Sequence, residues 1–347
     1  MSADISNRII IAPLDWGLGH ATRCIPVIYD MLGKNLDVLI AGEGGVVDLL
    51  RSEFPGLAFL PLKGYRVQLP GRNRTGWYFL TNLPRLAWRV WAEHRWLKQV
   101  IEEYDIQMVI SDNRYGLWSN KVKSVLITHQ LNIIAPPGLK FAEPLLRRIS
   151  RFFIGKFTEC WIPDKENEPS LAGELCHGHG IPANAEYIGF LSRFERERVT
   201  DGSKRGYDVV ALLSGPEPQR SVFEELLLSQ LKTSRHRSLL LRGVPGSTAG
   251  TVTMGNLTVM SHMKANELYV VLKNSRFVVC RGGYSTLMDL AYTGNKVICV
   301  PTPGQTEQEY LAARGARANM LVCAAQQSFS LDECLAQAET TSGISRF

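Results

Sequence analysis

Phe277-Val278-Val279-Cys280-Arg281-Gly282-Gly283-Tyr284-Ser285-Thr286-Leu287-Met288-Asp289-Leu290-Ala291-Tyr292-Thr293-Gly294 is the stretch that decides the fold. Its first four residues form an apolar run with no polar break, which reads as a strand buried on both faces. Two glycines make the turn, and a helix follows that Gly294 stops. Leu287, Leu290 and Ala291 fall at i, i+3 and i+4, the buried stripe of that helix. The amides of Tyr284 to Thr286, with the hydroxyls of Ser285 and Thr286, stand at the positive end of the helix, where anions bind. An ordinary strand-to-helix turn that happens to use Gly-Gly would read the same way in isolation.

The same unit recurs in both directions along the chain. Strands are expected at Arg8 to Ala12, Asp37 to Ala41, Met108 to Ser111, Ser124 to Thr128 and Glu159 to Pro163. A helix is expected over Thr22 to Leu32, with Gly33 as its stop. Residues 164–206 are rich in Glu, Gly, Pro, Arg and Lys and read as a flexible polar join. The alternation then restarts, with strands at Tyr207 to Ser214, Ser238 to Leu241, Leu257 to Met260, Phe277 to Cys280 and Lys296 to Pro301, and a helix over Gln219 to Thr233. Apolar strands alternating with helices predict parallel sheets covered on both faces. The fold class is therefore α/β, with two Rossmann-like domains and ligands at the carboxyl ends of the strands. At 347 residues, two domains fit the usual domain size. The expected boundaries are 1–192 for the first domain and 205–329 for the second. Residues 330–347 would form a C-terminal helix that could cross back to the first.

Val297 to Pro301 leads into Thr302-Pro303-Gly304-Gln305-Thr306-Glu307-Gln308-Glu309, a polar loop opening another helix. Together with 277–294 this resembles the donor-binding signature of GT-B glycosyltransferases, in particular the MurG and monogalactosyldiacylglycerol synthase group of glycosyltransferase family 28. The resemblance is dense over about residues 277–315 and looser elsewhere. It implies two domains facing each other across a cleft, and it assigns roles to residues. Arg281, Gly282, Gly283, Tyr284, Ser285 and Thr286 would hold the donor diphosphate, with Ser214 and Gly215 matching the first glycine loop of that domain. Asp289 stands where the family usually has a Glu on the ribose hydroxyls. His262 and Met263 match the segment framing the base, and Gln308 and Glu309 match residues on the donor sugar.

In the first half, Asp15-Trp16-Gly17-Leu18-Gly19-His20-Ala21-Thr22-Arg23 lies between a strand and a helix. Gly17-x-Gly19-x-x-Thr22 partly imitates a dinucleotide fingerprint, with Glu43 where a ribose-binding acid belongs. A Thr at the third position, however, crowds helix against strand and argues against that cofactor. The resemblance makes Gly17 and Gly19 an acceptor-side loop closing on His20. A histidine in such a loop suits a general base at neutral pH, with Asp112 as the group that orients it. The alternative for His20 is a helix-terminal residue with no proton to move. His129 and Gln130 match another acceptor-side segment.

Charge is concentrated rather than spread. The formal net charge is only +6, yet residues 61–100 hold eight Lys and Arg against a single Glu, together with four of the seven Trp. A second segment, Leu139 to Lys156, interleaves Lys140, Arg147, Arg148, Arg151 and Lys156 with Phe141, Leu145, Leu146, Ile149, Phe152, Phe153 and Ile154. Cations mixed with Trp and Phe suit an anionic membrane surface, although helices packing their aromatic residues inward would share this composition. No RNA- or DNA-binding motif accompanies them, so nucleic acid is not an expected partner.

No apolar stretch is long enough to span a bilayer, and the N-terminus does not read as a secretory signal. Seven scattered cysteines read as free thiols of a reduced, cytoplasmic protein, and the basic aromatic segments would set it on the inner membrane face. Cys176-His177-Gly178-His179 is the nearest approach to a metal motif. It lacks a second ligand cluster, so it reads as a polar loop and no metal or other cofactor is expected. The expectation is a metal-independent, inverting glycosyltransferase that moves a sugar from a nucleotide donor, UDP-linked by resemblance, to an acceptor hydroxyl that could be lipid-linked. Two alternatives stay open: a nucleotide-sugar epimerase of the same fold, and a non-catalytic sugar-nucleotide-binding or membrane-scaffold subunit.

Overall fold

The computed structural model describes residues 7–65, 75–135, 137–197 and 206–344. The chain divides into two compact units whose main break falls between Leu191 and Ser192. The first is built on β1 (Arg8–Pro13), β2 (Asp37–Gly42), β3 (Ala58–Pro61), β4 (Ile106–Asp112), β5 (Lys123–Ile127), β6 (Glu159–Ile162) and β7 (Ala185–Tyr187). These form one sheet in the order β3-β2-β1-β4-β5-β6-β7, with every pairing parallel. Ile9, Ile10 and Ile11 of β1 are all buried. A central parallel strand is covered on both faces, so consecutive residues are apolar, and each such side chain contributes roughly 1.5–3 kcal/mol. The helices of this unit are α1 (Leu18–Gly33), which belongs to it from Arg23 onward, α2 (Gly45–Glu53), α3 (Thr75–Glu103) and α4 (Glu143–Ile154).

The second unit repeats the plan with β8 (Val209–Leu212), β9 (Ser238–Leu241), β10 (Val252–Met254), β11 (Leu257–Met260), β12 (Phe277–Cys280), β13 (Lys296–Cys299) and β14 (Leu321–Cys323). Its order is β10-β11-β9-β8-β12-β13-β14, parallel except for the β10–β11 hairpin. The crossing helices are α5 (Gln219–Leu231), α6 (Ala265–Lys273), α7 (Tyr284–Leu290) and α8 (Thr306–Arg317), followed by α9 (Leu331–Ala338).

Both sheets reverse direction once: after β3 the chain returns to the far side of β1, and after β11 to the far side of β8. Such a switch point leaves the loops after the two flanking strands splayed apart at the carboxyl edge, where ligands of this architecture bind.

Several expectations are corrected. Helix α1 starts four residues before Thr22, so His20 lies within its first turn. The polar join is ordered in part: β7 lies inside it and completes the first sheet, and Phe194 is buried, its ring 5.4 Å from that of Tyr269 in the second unit. Residues Asp201 to Lys204 lie outside the described residues. Helix α9 does not leave its own unit, because Leu331, Cys334, Leu335 and Ala338 are buried in the core beneath the second sheet.

Candidate functional site

In the second unit the residues expected to meet the donor gather at one edge of the sheet. Ser214 and Gly215 follow β8, and Arg281 to Gly283 follow β12, so the two glycine loops flank the switch point. His262 and Met263 follow β11, while Gln308 and Glu309 open α8 after β13.

The two glycines of the main turn do different work. Gly282 has φ +72, a left-handed conformation, and a Cβ placed on it would lie 2.9 Å from the Cys299 Sγ. Only glycine fits without strain. Gly283 has an ordinary φ of −66 and is the N-cap of α7, with no side chain capping the helix. A Cβ there would meet nothing within 4 Å. The first-turn amides of any α-helix lack intrahelical acceptors, and Gly283 leaves the approach to this helix open.

Arg281 behaves differently from the rest of its turn. Its guanidinium is buried, donates to the Gln219 carbonyl (2.7 Å), the Gln326 Oε1 (2.6 Å) and the Val300 carbonyl (3.2 Å), and sits 4.0 Å from the centre of the Phe223 ring. Burial pulls its pKa down to about 10. The side chain straps three loops together.

Asp289 is likewise occupied. Its Oδ1 accepts from the Ser192 hydroxyl (2.8 Å) and the Arg193 amide (3.3 Å), and its Oδ2 from Arg193 Nε (2.9 Å). Burial raises its pKa, opposed by the Arg193 charge and these hydrogen bonds. The carboxylate expected on a ribose anchors the chain where the second unit begins.

His262 is held neutral. Burial, with the positive charge of Arg193 adding to it, lowers its pKa to about 4, and its Nε2 is buried without a hydrogen-bond partner. At α8, the Gln305 Oε1 caps the Gln308 amide (2.7 Å), the Gln308 Oε1 accepts from the Thr302 amide (2.9 Å) and the Glu309 Oε1 from the Gly304 amide (2.9 Å). The two residues expected on the sugar thus also fix the loop that carries them.

In the first unit, Asp112 ends β4 at that sheet's switch point. Both of its oxygens are gripped by Arg23, through Nε at 2.5 Å and through Nη2, and both residues are buried. A third Arg23 nitrogen faces the His129 Nδ1 at 3.2 Å. A guanidinium only donates, so Nδ1 accepts and a neutral His129 carries its proton on Nε2. The Asp112 charge is thus matched by Arg23, a residue not singled out in the sequence, and the pair ties β4 to α1.

A second buried network crosses the same edge. Arg114 donates to the Pro13 carbonyl (2.9 Å) and to Glu93 Oε1 (2.7 Å), while the Tyr65 hydroxyl donates to Glu93 Oε2 (2.7 Å). Burial raises the pKa of Glu93. The lone acid of the basic segment therefore belongs to the interior.

The basic aromatic segments are split by burial. In α3, Leu97, Val100 and Ile101 pack into the core with Trp96 against them, whereas Trp88 and Trp91 are each 55% exposed. Arg89 lies over the Trp88 ring and Arg95 over the Trp91 ring. In and before α4, Phe141, Leu145, Ile149 and Phe152 are exposed at 81, 60, 45 and 60%. Arg66, Arg72, Arg74 and the side chain of Trp77 lie outside the described residues. Among the described residues, no helix is long and apolar enough to cross a membrane.

Comparison with known proteins adds three findings. Residues 251–340 match the glycosyltransferase family 28 C-terminal domain. An uncharacterized glycosyltransferase of Methanosarcina acetivorans is 22% identical over 336 residues, covering 88% of this chain and 82% of that protein. Among solved structures, the spinosyn rhamnosyltransferase SpnG superposes with a TM-score of 0.63 at 16% identity, over 97% of this chain and 93% of its own. It has also been solved with thymidine diphosphate. Acinetobacter baumannii MurG superposes with a TM-score of 0.52 at 10% identity, over 98% and 93%.

Proposed function

We propose that this chain, a glycosyltransferase of the GT-B fold with a family 28 C-terminal domain, transfers a sugar from a nucleoside diphosphate donor to an acceptor hydroxyl presented at a membrane surface. The observation that carries the donor half is the open turn at Gly283, inside the family-matched segment and beside the switch point of the second sheet. In this reading the amides of residues 283–286 and the hydroxyls of Ser285 and Thr286 receive the diphosphate. They stabilise the negative charge that grows on it as it leaves. The backbone of His262 and Met263 frames the base, and Gln308 and Glu309 face the sugar. Asp289 and the side chain of Arg281 are assigned no donor contact, because protein groups already occupy them.

His20 is the base. It accepts the proton of the acceptor hydroxyl while that oxygen bonds to the anomeric carbon. The bond from that carbon to the diphosphate oxygen breaks, and the electron pair leaves with the diphosphate. One displacement at one carbon inverts its configuration. Asp112, its charge matched by Arg23, is assigned no proton and holds β4 against α1. Gly17, Gly19, His129 and Gln130 are assigned to the acceptor side. The exposed Trp88 and Trp91, each beside an arginine, and the apolar stripe of α4 among Arg147, Arg148 and Arg151 support a membrane-surface acceptor.

A thermal-shift panel of UDP, TDP, GDP, ADP and NADH tests the donor. Stabilisation by a nucleoside diphosphate is expected, and stabilisation by NADH alone would overturn the reading. For the base, His20→Ala should abolish transfer while leaving donor binding intact; unchanged transfer removes the assignment. Incubating the donor sugar alone separates transfer from epimerisation, since only an epimerase converts it to a stereoisomer.

A further inference from the structure

We infer that Asp164, Cys176 and His177 form a binding site for one divalent metal ion of the zinc class in the first unit. The sequence offers Cys176-His177 without a second ligand cluster; the fold supplies Asp164, two residues past β6. One ligand atom from each residue lies within 4.8 Å of the other two. The Cys176 Sγ is 3.4 Å from Asp164 Oδ2, and the His177 Nε2 is 3.8 Å from the same oxygen. Tetrahedral zinc bonds of about 2.0 Å to N and O and about 2.3 Å to S place ligand atoms roughly 3.3–3.5 Å apart. Measured from Asp164 Oδ2, the Cys176 sulfur already stands at this spacing, and the His177 nitrogen must close by about half an ångström.

Two features aim these groups at a cation. The carboxylate is fixed by backbone: Oδ1 accepts from the Lys165 (2.8 Å) and Leu171 (3.2 Å) amides and Oδ2 from the Ala172 amide (2.9 Å), with Asp164 fully buried. The imidazole is oriented from behind. The Tyr187 hydroxyl donates its one proton to the Cys176 carbonyl (2.9 Å), so at its 3.2 Å contact with His177 Nδ1 the tyrosine oxygen accepts. Nδ1 then carries the hydrogen, and the lone pair is on Nε2, which is buried and has no hydrogen-bond partner. A lone pair facing a carboxylate oxygen calls for a positive charge between them. Outer partners that fix ligand orientation in this way are the usual support of metal sites.

The charges balance: Cys176 loses its proton to solvent on binding, and thiolate plus carboxylate match a dication beside a neutral imidazole. His177 is 21% exposed, which leaves room for a water as fourth ligand. Asn132 donates to the carbonyls of Glu174 (2.8 Å) and His177 (3.1 Å), so an ion here also stiffens the chain just past His129 and Gln130.

The test uses the full chain, stripped with a chelator under reducing conditions and titrated with Co2+ as a spectroscopic probe. One equivalent should bind, with a thiolate-to-cobalt charge-transfer band, tetrahedral ligand-field bands and release of a proton; Zn2+ should displace it. His177→Gln should weaken binding by at least about tenfold without lowering the metal-free melting temperature, and Cys176→Ser should remove the charge-transfer band. Cys323→Ser, at an exposed thiol, should change nothing. The inference is overturned by failure to bind, by a spectrum lacking the thiolate band, or by equal binding in His177→Gln.

Discussion

Substituting Gly282 with alanine isolates what the donor turn demands of its backbone. The left-handed φ of +72 costs a side-chain-bearing residue about 1–2 kcal/mol. The new Cβ would also sit 2.9 Å from the Cys299 Sγ and 3.2 Å from its Cβ, in a strand with no room to retreat. Overpacking of that kind costs about 1–3 kcal/mol, while the stiffer unfolded chain returns about 0.4–1 kcal/mol. Gly282→Ala should therefore destabilise the second unit by about 1–4.5 kcal/mol, read as a lower midpoint in guanidinium unfolding followed by circular dichroism. The steric part is separable. Cys299→Ala removes the Sγ at a small cost of its own, and in the double variant about 1–2 kcal/mol of the Gly282→Ala loss should disappear as coupling. The backbone part should remain. A Gly282→Ala chain as stable as the parent, or a cycle with no coupling, would refute the packing described for this turn.

Other consequences follow from the buried charges and the surface. Asp112→Asn leaves the buried Arg23 guanidinium without its counter-charge and should cost about 3–5 kcal/mol; in Arg23→Met with Asp112→Leu most of that stability should return. His262, with its pKa lowered from 6.5 to about 4, should make stability fall as pH drops through that window, because the unfolded chain takes up the proton first. Its contribution is full above pH 6.5, and after screening by solvent it is about 1–2 kcal/mol. His262→Gln should flatten this part of the pH profile, and an unchanged profile would show that another group titrates. Co-sedimentation with anionic vesicles should weaken as salt rises and drop in Phe141→Ser with Phe152→Ser, while equal binding to neutral vesicles would remove the basic segments as the anchor.

What could be read from the sequence, and what could not, divides by range. Strands β9, β11 and β12 match their expected bounds because a buried parallel strand is a continuous apolar run that announces itself locally. Strands β3, β7, β10 and β14 are short and lie at or near sheet edges, partly exposed, so they carry no such run. The glycine turn is legible because its geometry is local. The sequence pattern marks Arg281 and Asp289 as ligand groups, but their partners lie far along the chain, at Gln326 and at Ser192–Arg193, where no spacing rule reaches. The same limit hid Arg23 from the reading of Asp112, and Asp164 from the reading of Cys176 and His177.

Gly283→Ala puts the donor assignment to the most direct test. Its φ is ordinary and its Cβ would meet no protein atom within 4 Å, so the substitution should leave the melting temperature unchanged. If the diphosphate rests on this turn, the added methyl occupies the space the phosphate needs. Calorimetric titration should then show nucleoside diphosphate affinity falling by about tenfold or more, or about 1.4 kcal/mol. Equal affinity in parent and variant would contradict the account.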